Sequence, residues 1–149
     1  MRQLHLFGSK KQRGRRPVPP MEFSTHATLA DICKRWITPH WKFTHLPMGE
    51  NRDHRINPRT GKRYSPTGAR LKRMGVMPGW PDFLFSGPER AMFFLELKRV
   101  QRGRLSEEQA DVLSHLVACG HRILVTSSLD DAVAELKAAG ILRSNTEVQ

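Results

Sequence analysis

The sequence predicts an α/β protein in which helices flank a mixed β-sheet. Apolar residues at helical spacing over 22–37 are followed by a short alternating strand at 41–46. Two strongly apolar strands, 83–85 and 92–97, then flank a turn-like SGPER segment. A helix, a strand and a last helix follow between 105 and 139. An ending in which strands and helices alternate is typical of a mixed sheet with helices on both faces.

Length and charge narrow the class of protein. The chain has 149 residues, 38% of them hydrophobic and 26% charged, which is typical of one globular domain. Its net charge is +11, from 25 Lys and Arg against 14 Asp and Glu. The charge is uneven, with a net +15 through residue 104 and −4 after it. This asymmetry predicts a face that binds a polyanion, most simply nucleic acid, while a merely soluble basic protein or one that contacts an anionic membrane is the alternative.

The basic residues at the start of the chain predict a separate segment. Residues 1–21 contain six basic residues, no acid and three prolines, so we expect a disordered basic arm. Residues 22–143 are expected to fold as the domain, and 144–149 to form a disordered tail. The segment from Arg13 to Pro17 is similar to the RGRP core of AT-hooks, which lie in the DNA minor groove. One inserted arginine departs from that core, so a general phosphate-binding tail is the preferred interpretation.

Several classes of protein are disfavoured by what the sequence lacks. No apolar run approaches the roughly 20 residues that a membrane helix needs, and no signal-peptide pattern opens the chain. We therefore expect a cytoplasmic protein without a membrane partner. No glycine-rich loop that would cradle phosphates is present, which predicts no nucleotide cofactor. Cys33 and Cys119 have no CxxC spacing and are expected to be buried free thiols.

A basic segment separates the first strand from the apolar hairpin. Residues 51–75 contain eight basic residues and one acid, Asp53, in a loop rich in glycine and proline. A short basic helix is predicted at 67–74, ending at Gly75. Arginines in such a loop suit phosphate contacts, while a merely solvated loop is the alternative. The sequence VMPGWP then predicts a tight turn that fixes the direction of Asp82.

Charged residues lie at the edges of the apolar hairpin. Asp82 begins its first strand, Glu96 lies within the second, and Lys98 follows two residues later. Ionised side chains avoid burial unless they are paired, hydrogen-bonded or bound to a metal. A strand period of two places Glu96 and Lys98 on the same face as Phe94. Two carboxylates and an ammonium brought together by one hairpin therefore predict a divalent-metal site.

Three further acidic or amide residues are candidates, each with a structural alternative. Glu22 and His26 are four residues apart on one helical face, where Glu22 is a candidate active-site acid and His26 its neighbour. The structural alternatives are a favourable acid in the first helical turn for Glu22 and a solvated or core-edge histidine for His26. Glu50 follows the first strand and is placed to point into a cleft. Gln109 completes an S-x-x-Q capping box with Ser106, so a capping role and an active-site role both stand.

These motifs together resemble one nuclease family. Pro81-Asp82 followed by Glu96-Leu97-Lys98 is similar to the core pattern of PD-(D/E)xK nucleases. The stretches GVMPGWPD, FLELKR and GRLSEEQ narrow the resemblance to the VRR-NUC group, over roughly residues 22 to 127. The resemblance implies a restriction-endonuclease-like αβββαβ core, Mg²⁺ or Mn²⁺ as cofactor, and DNA as substrate. Members are often phage or bacterial hydrolases that act on structured or branched DNA in repair, recombination or phage DNA processing. A homodimer is expected by analogy.

The resemblance also implies roles for particular residues. Asp82, Glu96 and the backbone carbonyl of Leu97 would bind the metal, and Lys98 would orient the attacking water or stabilise charge on the phosphate. Gln109 would orient Lys98 or water. Glu22 is the preferred additional acid, with Glu50 as the alternative. The residues expected to contact nucleic acid are Arg13, Arg15, Arg16, Arg52, Arg55, Arg59, Lys62, Arg63, Arg70, Lys72, Arg73, Arg99 and Arg102.

Two functions follow from this pattern. The first is a metal-dependent DNA endonuclease that hydrolyses phosphodiester bonds. The alternative is a non-catalytic DNA-binding or assembly protein that retains the nuclease fold. The first predicts cleavage that depends on metal and on Lys98, whereas the second predicts salt-dependent binding without cleavage.

Overall fold

The computed structural model describes residues 21–47, 53–98 and 104–144, with side chains described from Ser24 onward in the first helix. The helices are α1 (Met21–Trp36), α2 (Pro66–Arg73), α3 (Glu107–Ala118) and α4 (Leu129–Ala138), and the strands are β1 (Lys42–His45), β2 (Arg55–Ile56), β3 (Arg63–Tyr64), β4 (Phe83–Ser86), β5 (Met92–Leu97) and β6 (Arg122–Thr126).

In the described part of the chain no helix is both long and apolar enough to cross a bilayer. The expected basic arm up to residue 20 and the tail from residue 145 lie outside the described residues. The helix α1 already includes Met21, which the sequence-based boundary assigns to the arm.

The four main strands form one mixed sheet in the order β1-β4-β5-β6. The β1–β4 and β4–β5 pairs are antiparallel, and β5 pairs with β6 in parallel, with Glu96 opposite Val125. The predicted mixed α/β architecture is therefore confirmed. The strand β6 is parallel to β5 and lies at the edge of the sheet. Helix α3 supplies the crossover that a parallel β5–β6 connection requires.

The main core lies between one face of the sheet and helices α1 and α4. The strand period directs alternate residues of β4 and β5 to this face, while α1 and α4 contribute residues three or four positions apart. The Phe43 and Phe85 rings stack across β1 and β4 with centroids 5.8 Å apart. The buried members of this core include Leu29, Cys33, Phe83, Phe85, Phe93, Leu95, Leu97, Ala132, Val133, Leu136, Ile141 and Leu142.

The opposite face of β5 presents Phe94 and Glu96. Phe94 is buried beside the rings of Trp80 and His121, with centroid distances of 6.2 and 5.5 Å. Helix α3 contacts β6 on this side and reaches Glu96 through Gln109. The sequence-based assignment of alternate β5 residues to two faces is consistent with these contacts. Helices consequently lie on both faces, and the charged residue of β5 is covered by α3.

The basic segment before the hairpin contains more structure than the loop that the sequence predicted. The strands β2 and β3 form a separate two-stranded sheet. Asn57 closes the turn between them, because its side-chain oxygen accepts hydrogen bonds from the amides of Arg59 and Thr60. Ser65 then caps α2 by accepting a hydrogen bond from the Gly68 amide at 2.9 Å. The local turn chemistry of Asn57 and Ser65 therefore orders the segment.

The two cysteines differ in burial. Both are free thiols, as predicted, and Cys33 is fully buried in the main core. Burial raises the pKa of the Cys33 thiol to about 12. The expected burial of Cys119 is wrong, because this residue is the C-cap of α3 and is exposed. Its sulfur lies 3.6 Å from the Nε2 atom of His115, one turn earlier.

Candidate active site

Two carboxylates are joined by crossed hydrogen bonds where β4 and β5 separate. The amide of Asp82 donates to Oε2 of Glu96 at 3.2 Å. The amide of Leu97 donates to Oδ2 of Asp82 at 2.8 Å. Each carboxylate is therefore held by a backbone group of the other strand. Because backbone amides fix both side chains, their position is set by the sheet itself.

The Lys98 ammonium contacts the buried carboxylate. Lys98 follows β5, and its amide donates to the Thr126 carbonyl at 2.8 Å, which extends the parallel pairing by one residue. Its Nζ atom lies 2.8 Å from Oε1 of Glu96. The Lys98 side chain is 14% exposed and that of Glu96 is 5% exposed. The sequence placed both residues on one strand face, and the structure brings their charged groups into contact.

Gln109 forms the predicted cap and also contacts two charged side chains of the site. At the start of α3 it forms the predicted capping box, in which the Ser106 hydroxyl accepts from the Gln109 amide and Oε1 of Gln109 accepts from the Ser106 amide. The same Oε1 atom accepts from Nζ of Lys98 at 2.5 Å. Its Nε2 atom donates to Oε1 of Glu96 at 2.5 Å. The cap therefore fixes an amide that bridges Lys98 and Glu96.

Gly79 allows the turn before Asp82 to pack directly on α3. Its φ of +94° lies in the left-handed region that favours glycine. A Cβ atom built on Gly79 would overlap the backbone carbonyl of Glu108, next to Gln109. The close approach joins the VMPGWP turn to the first turn of α3. The two segments that deliver Asp82 and Gln109 are consequently fixed against each other.

Electrostatics at the site are set by burial and by the neighbouring acid. Burial is the main reason why the pKa of Glu96 is raised above its usual range, and the charge of Asp82 raises it further. Hydrogen bonding and attraction from Lys98 oppose these effects. The ionised form of Glu96 is therefore destabilised by its surroundings in the absence of a further cation.

Two histidines complete the surroundings of Asp82. Nε2 of His26, on α1, lies 3.3 Å from Oδ2 of Asp82, and the His26 side chain is 7% exposed. The ring of His45, at the end of β1, lies 5.1 Å from the His26 ring. One ligand atom from each of these three side chains lies within 4.8 Å of the others. This group could hold a metal ion.

The structure brings together four of the predicted site residues: Asp82, Glu96, Lys98 and Gln109. The side chain of Glu22 and the whole of Glu50 lie outside what the structure describes, so the additional acid stays a prediction. The metal-binding role of the Leu97 carbonyl also stays a prediction. Among the predicted nucleic-acid contacts, seven are described and all seven are exposed on the segment before the hairpin: Arg55, Arg59, Lys62, Arg63, Arg70, Lys72 and Arg73. The other six, Arg13, Arg15, Arg16, Arg52, Arg99 and Arg102, lie outside the described residues.

Sequence reasoning missed His45 and undervalued His26. His26 is buried because it precedes Leu29 by three positions and Cys33 by seven, which places it on the inward face of α1. That spacing was a usable signal against a solvated histidine. His45 shares a strand face with Phe43, but its neighbour Phe83 is identified only by the β1–β4 register. A strand histidine two residues after a core aromatic was the available signal.

The fold and the site together define a mixed α/β domain with a carboxylate pair, a lysine and a glutamine at the end of two strands. Such a cluster can bind a cation through the carboxylates and hold an ammonium beside it. Comparison with known proteins gives no match to a protein-family model, to a curated protein or to a solved structure.

Proposed function

We propose that this protein is a metal-dependent DNA endonuclease that hydrolyses phosphodiester bonds, resembling the VRR-NUC group of PD-(D/E)xK nucleases. The observation that carries the proposal is the contact of Lys98 and Gln109 with Glu96, beside Asp82. These four residues come from the sequence motifs on which the resemblance depends. Their convergence supports a common site.

The strand order is a second support for the proposal. A helix precedes three antiparallel strands, and a further helix leads to a parallel fourth strand. This succession is compatible with the αβββαβ arrangement expected of a restriction-endonuclease-like core. In this arrangement Asp82 and Glu96 lie next to each other past the last pair of the two middle strands. The finer assignment to that core is part of the proposal.

The donor set fits a hard divalent cation. Burial, and then the negative charge of Asp82, raise the pKa of Glu96, and a bound cation would favour its ionised form. Mg²⁺ and Mn²⁺ bind carboxylate and carbonyl oxygens, so Asp82, Glu96 and the Leu97 carbonyl are the proposed ligands. When bound, the metal supplies charge neutralisation at the phosphate and lowers the pKa of bound water.

The side chains around the carboxylates position groups for hydrolysis. Lys98 holds an ammonium 2.8 Å from Glu96, where it can donate to a water molecule or to a phosphate oxygen. Gln109 restricts Lys98 through its carbonyl oxygen and restricts Glu96 through its amide nitrogen. Because the capping box fixes Gln109, the helix α3 acts as the rigid support of both charged groups.

The exposed basic segment supplies a surface for the DNA backbone. Between Asp53 and Met77 there are seven Lys and Arg residues and one acid. Asp53 is paired within the segment, since its carboxylate accepts hydrogen bonds from the Ser65 hydroxyl and from the Thr67 amide and lies 3.3 Å from Nε of Arg55. These hydrogen bonds lower the pKa of Asp53, with those from Thr67 contributing most. The remaining cations are therefore available for phosphates.

The test is a cleavage assay on branched, single-stranded and duplex DNA with Mg²⁺ or Mn²⁺. We expect at least one substrate to be cut by the wild type and not by Lys98→Ala. DNA binding that persists without cleavage in every combination would instead identify a non-catalytic DNA-binding protein. Equal cleavage by the wild type and Lys98→Ala would contradict the proposed site.

A further inference from the structure

His26, His45 and Asp82 form a compact group of nitrogen and oxygen donors. Their ligand atoms lie within 4.8 Å of one another, and Nε2 of His26 is 3.3 Å from Oδ2 of Asp82. The group lies on the side of Asp82 that faces α1 and β1, whereas Glu96 belongs to β5. Asp82 consequently belongs to two groups: the carboxylate pair with Glu96, and the group with the imidazoles of His26 and His45.

Three separate elements fix this group in place. His26 lies on the buried face of α1, and His45 is the last residue of β1, paired with Phe83. The Leu46 amide donates to the Asp82 carbonyl at 2.7 Å, which ties the end of β1 to the residue before β4. Both imidazole rings also pack against the ring of Phe83, at 5.7 and 4.9 Å. The rings are therefore held by the core.

An ion pair alone accounts for only part of this arrangement. A single imidazole beside Asp82 would suffice to orient its carboxylate, as commonly occurs where histidine contacts an acid. The second imidazole, His45, comes from a different element, and its ligand atom lies within 4.8 Å of those of His26 and Asp82. Two atoms that bind one ion through bonds of about 2.0–2.2 Å are roughly 3.0–3.6 Å apart in octahedral or tetrahedral geometry. The 3.3 Å between Nε2 of His26 and Oδ2 of Asp82 meets that separation.

We propose that His26, His45 and Asp82 bind a first-row transition-metal ion, so that this protein selects Mn²⁺ over Mg²⁺. Imidazole nitrogen suits transition metals, whereas Mg²⁺ prefers oxygen ligands and retains several waters. The role of this ion in DNA cleavage rests on the proposed function, because Asp82 belongs to both sites. Binding of the ion does not depend on cleavage and is measured without DNA.

The test is calorimetric titration of the metal-free full chain with Mn²⁺ and, separately, with Mg²⁺. We expect tighter binding of Mn²⁺, and a loss of about tenfold or more in Mn²⁺ affinity for His45→Gln and for His26→Gln. Mg²⁺ affinity should be little changed in both variants. His40→Gln is the control, because His40 is exposed in the turn before β1 and should bind both ions as the wild type does.

A second measurement requires no variant. In the wild type labelled on its histidine rings, substoichiometric Mn²⁺ should broaden the magnetic resonance signals of His26 and His45 before that of His40, which places the ion beside Asp82; the His45→Gln titration then separates the imidazole group from the pair of Asp82 and Glu96. Wild-type signals that broaden equally at all three rings would overturn the proposal, as would equal Mn²⁺ affinity in the wild type and His45→Gln. Equal Mn²⁺ affinity in these two proteins would mean that His26 only orients Asp82.

The outcomes separate this proposal from the nuclease assignment. Histidine-dependent Mn²⁺ binding in a protein that cuts no DNA would support the metal group and contradict the proposed function. Metal-dependent cleavage with unchanged Mn²⁺ affinity in His45→Gln would support the nuclease and contradict the metal group.

Discussion

Gln109 accepts a hydrogen bond from the Lys98 ammonium through the same oxygen that accepts from the Ser106 amide. A helix cap and a charged site thus share one side chain. The remaining atom of that amide, Nε2, donates to Glu96. Loss of this residue is consequently expected to affect folding and function together, and the two effects can be separated only with a matched variant.

Gln109→Ala and Ser106→Ala provide that comparison. Each removes part of the cap, so each should lower the free energy of unfolding by about 1 kcal/mol. Only Gln109→Ala removes the bridge between Lys98 and Glu96, and it should lower the cleavage rate by about tenfold to a hundredfold. Urea unfolding and initial cleavage rates test the pair. Equal cleavage rates in the two variants would show that Gln109 acts only as a cap.

The raised pKa of Glu96 predicts how stability depends on pH. A carboxyl group whose pKa is higher in the folded state than in the unfolded state stabilises the fold. This contribution is complete at pH values below the unfolded-state pKa and is lost as the pH rises through the folded-state pKa. Glu96→Gln removes this ionisation and keeps a side-chain oxygen for Lys98. We expect the wild type to lose stability relative to Glu96→Gln as pH rises from about 4, near the usual carboxyl pKa, through the higher folded-state pKa of Glu96, by at most about 1.4 kcal/mol per pH unit. Urea unfolding of both metal-free proteins across this range measures the difference, and parallel curves would contradict the prediction.

Gly79→Ala should destabilise the protein more than Gly61→Ala. Both glycines have positive φ, at +94° and +66°, so an alanine at either position costs about 1–2 kcal/mol. Space around Gly61 is open, whereas a Cβ atom at Gly79 overlaps the Glu108 backbone. That overlap should add about 1–3 kcal/mol to the cost. Thermal unfolding of the two variants provides the test, and equal midpoints would show that the turn can move away from α3.

Lys72 on α2 should contribute to DNA affinity, whereas Lys34 on α1 should not. Both are exposed, and Lys34 pairs with Asp31 at 3.1 Å. If Lys72 contacts a phosphate, Lys72→Gln should reduce the slope of log affinity against log salt by about 0.9 on duplex DNA. Fluorescence anisotropy at several salt concentrations measures the slope, with Lys34→Gln as the control. An equal slope for the two variants would remove α2 from the DNA-binding surface.

The two thiols should react at very different rates. Cys119 is exposed, whereas burial raises the pKa of Cys33 to about 12, so Cys33 holds almost no thiolate near neutral pH. A chromogenic thiol reagent should therefore titrate one thiol in the native protein and two in denaturant. Cys119→Ser should abolish the native reaction. Rapid reaction of that variant would indicate that the core around Cys33 opens readily.

Sequence patterns predicted which strands carry the site residues better than they predicted the contacts between those residues. The apolar runs that follow Asp82 and surround Glu96 have strand period and length, so the sequence alone assigns Asp82 to the start of one strand and Glu96 to the interior of the next. The contact of Lys98 with Glu96 depends on side-chain direction, which the period of two captured. The crossed amide hydrogen bonds were not predictable, because they depend on how β4 and β5 separate in three dimensions.

The histidines show why some contacts required the fold. His26 could be assigned to the inward face of α1 from its spacing to Leu29. Its contact with Asp82 joins residues 56 positions apart and depends on where α1 lies on the sheet. His45 required the β1–β4 register, which short strands do not specify from sequence alone. The hairpin of β2 and β3 was missed because strands of two residues have no measurable period.

The crossed bonds between Asp82 and Glu96 also join β4 and β5 past the last pair of their ladder. Beyond the pairing of Phe83 with Leu95, the two side-chain carboxylates accept hydrogen bonds from the amides of Asp82 and Leu97. Both acids consequently have a structural reason to be present whether or not a chain of this kind cuts DNA. The Lys98 side chain contributes to no rung of this ladder. Across related chains, replacement of the lysine with retention of both acids is therefore the signature that would identify a binding protein derived from a nuclease.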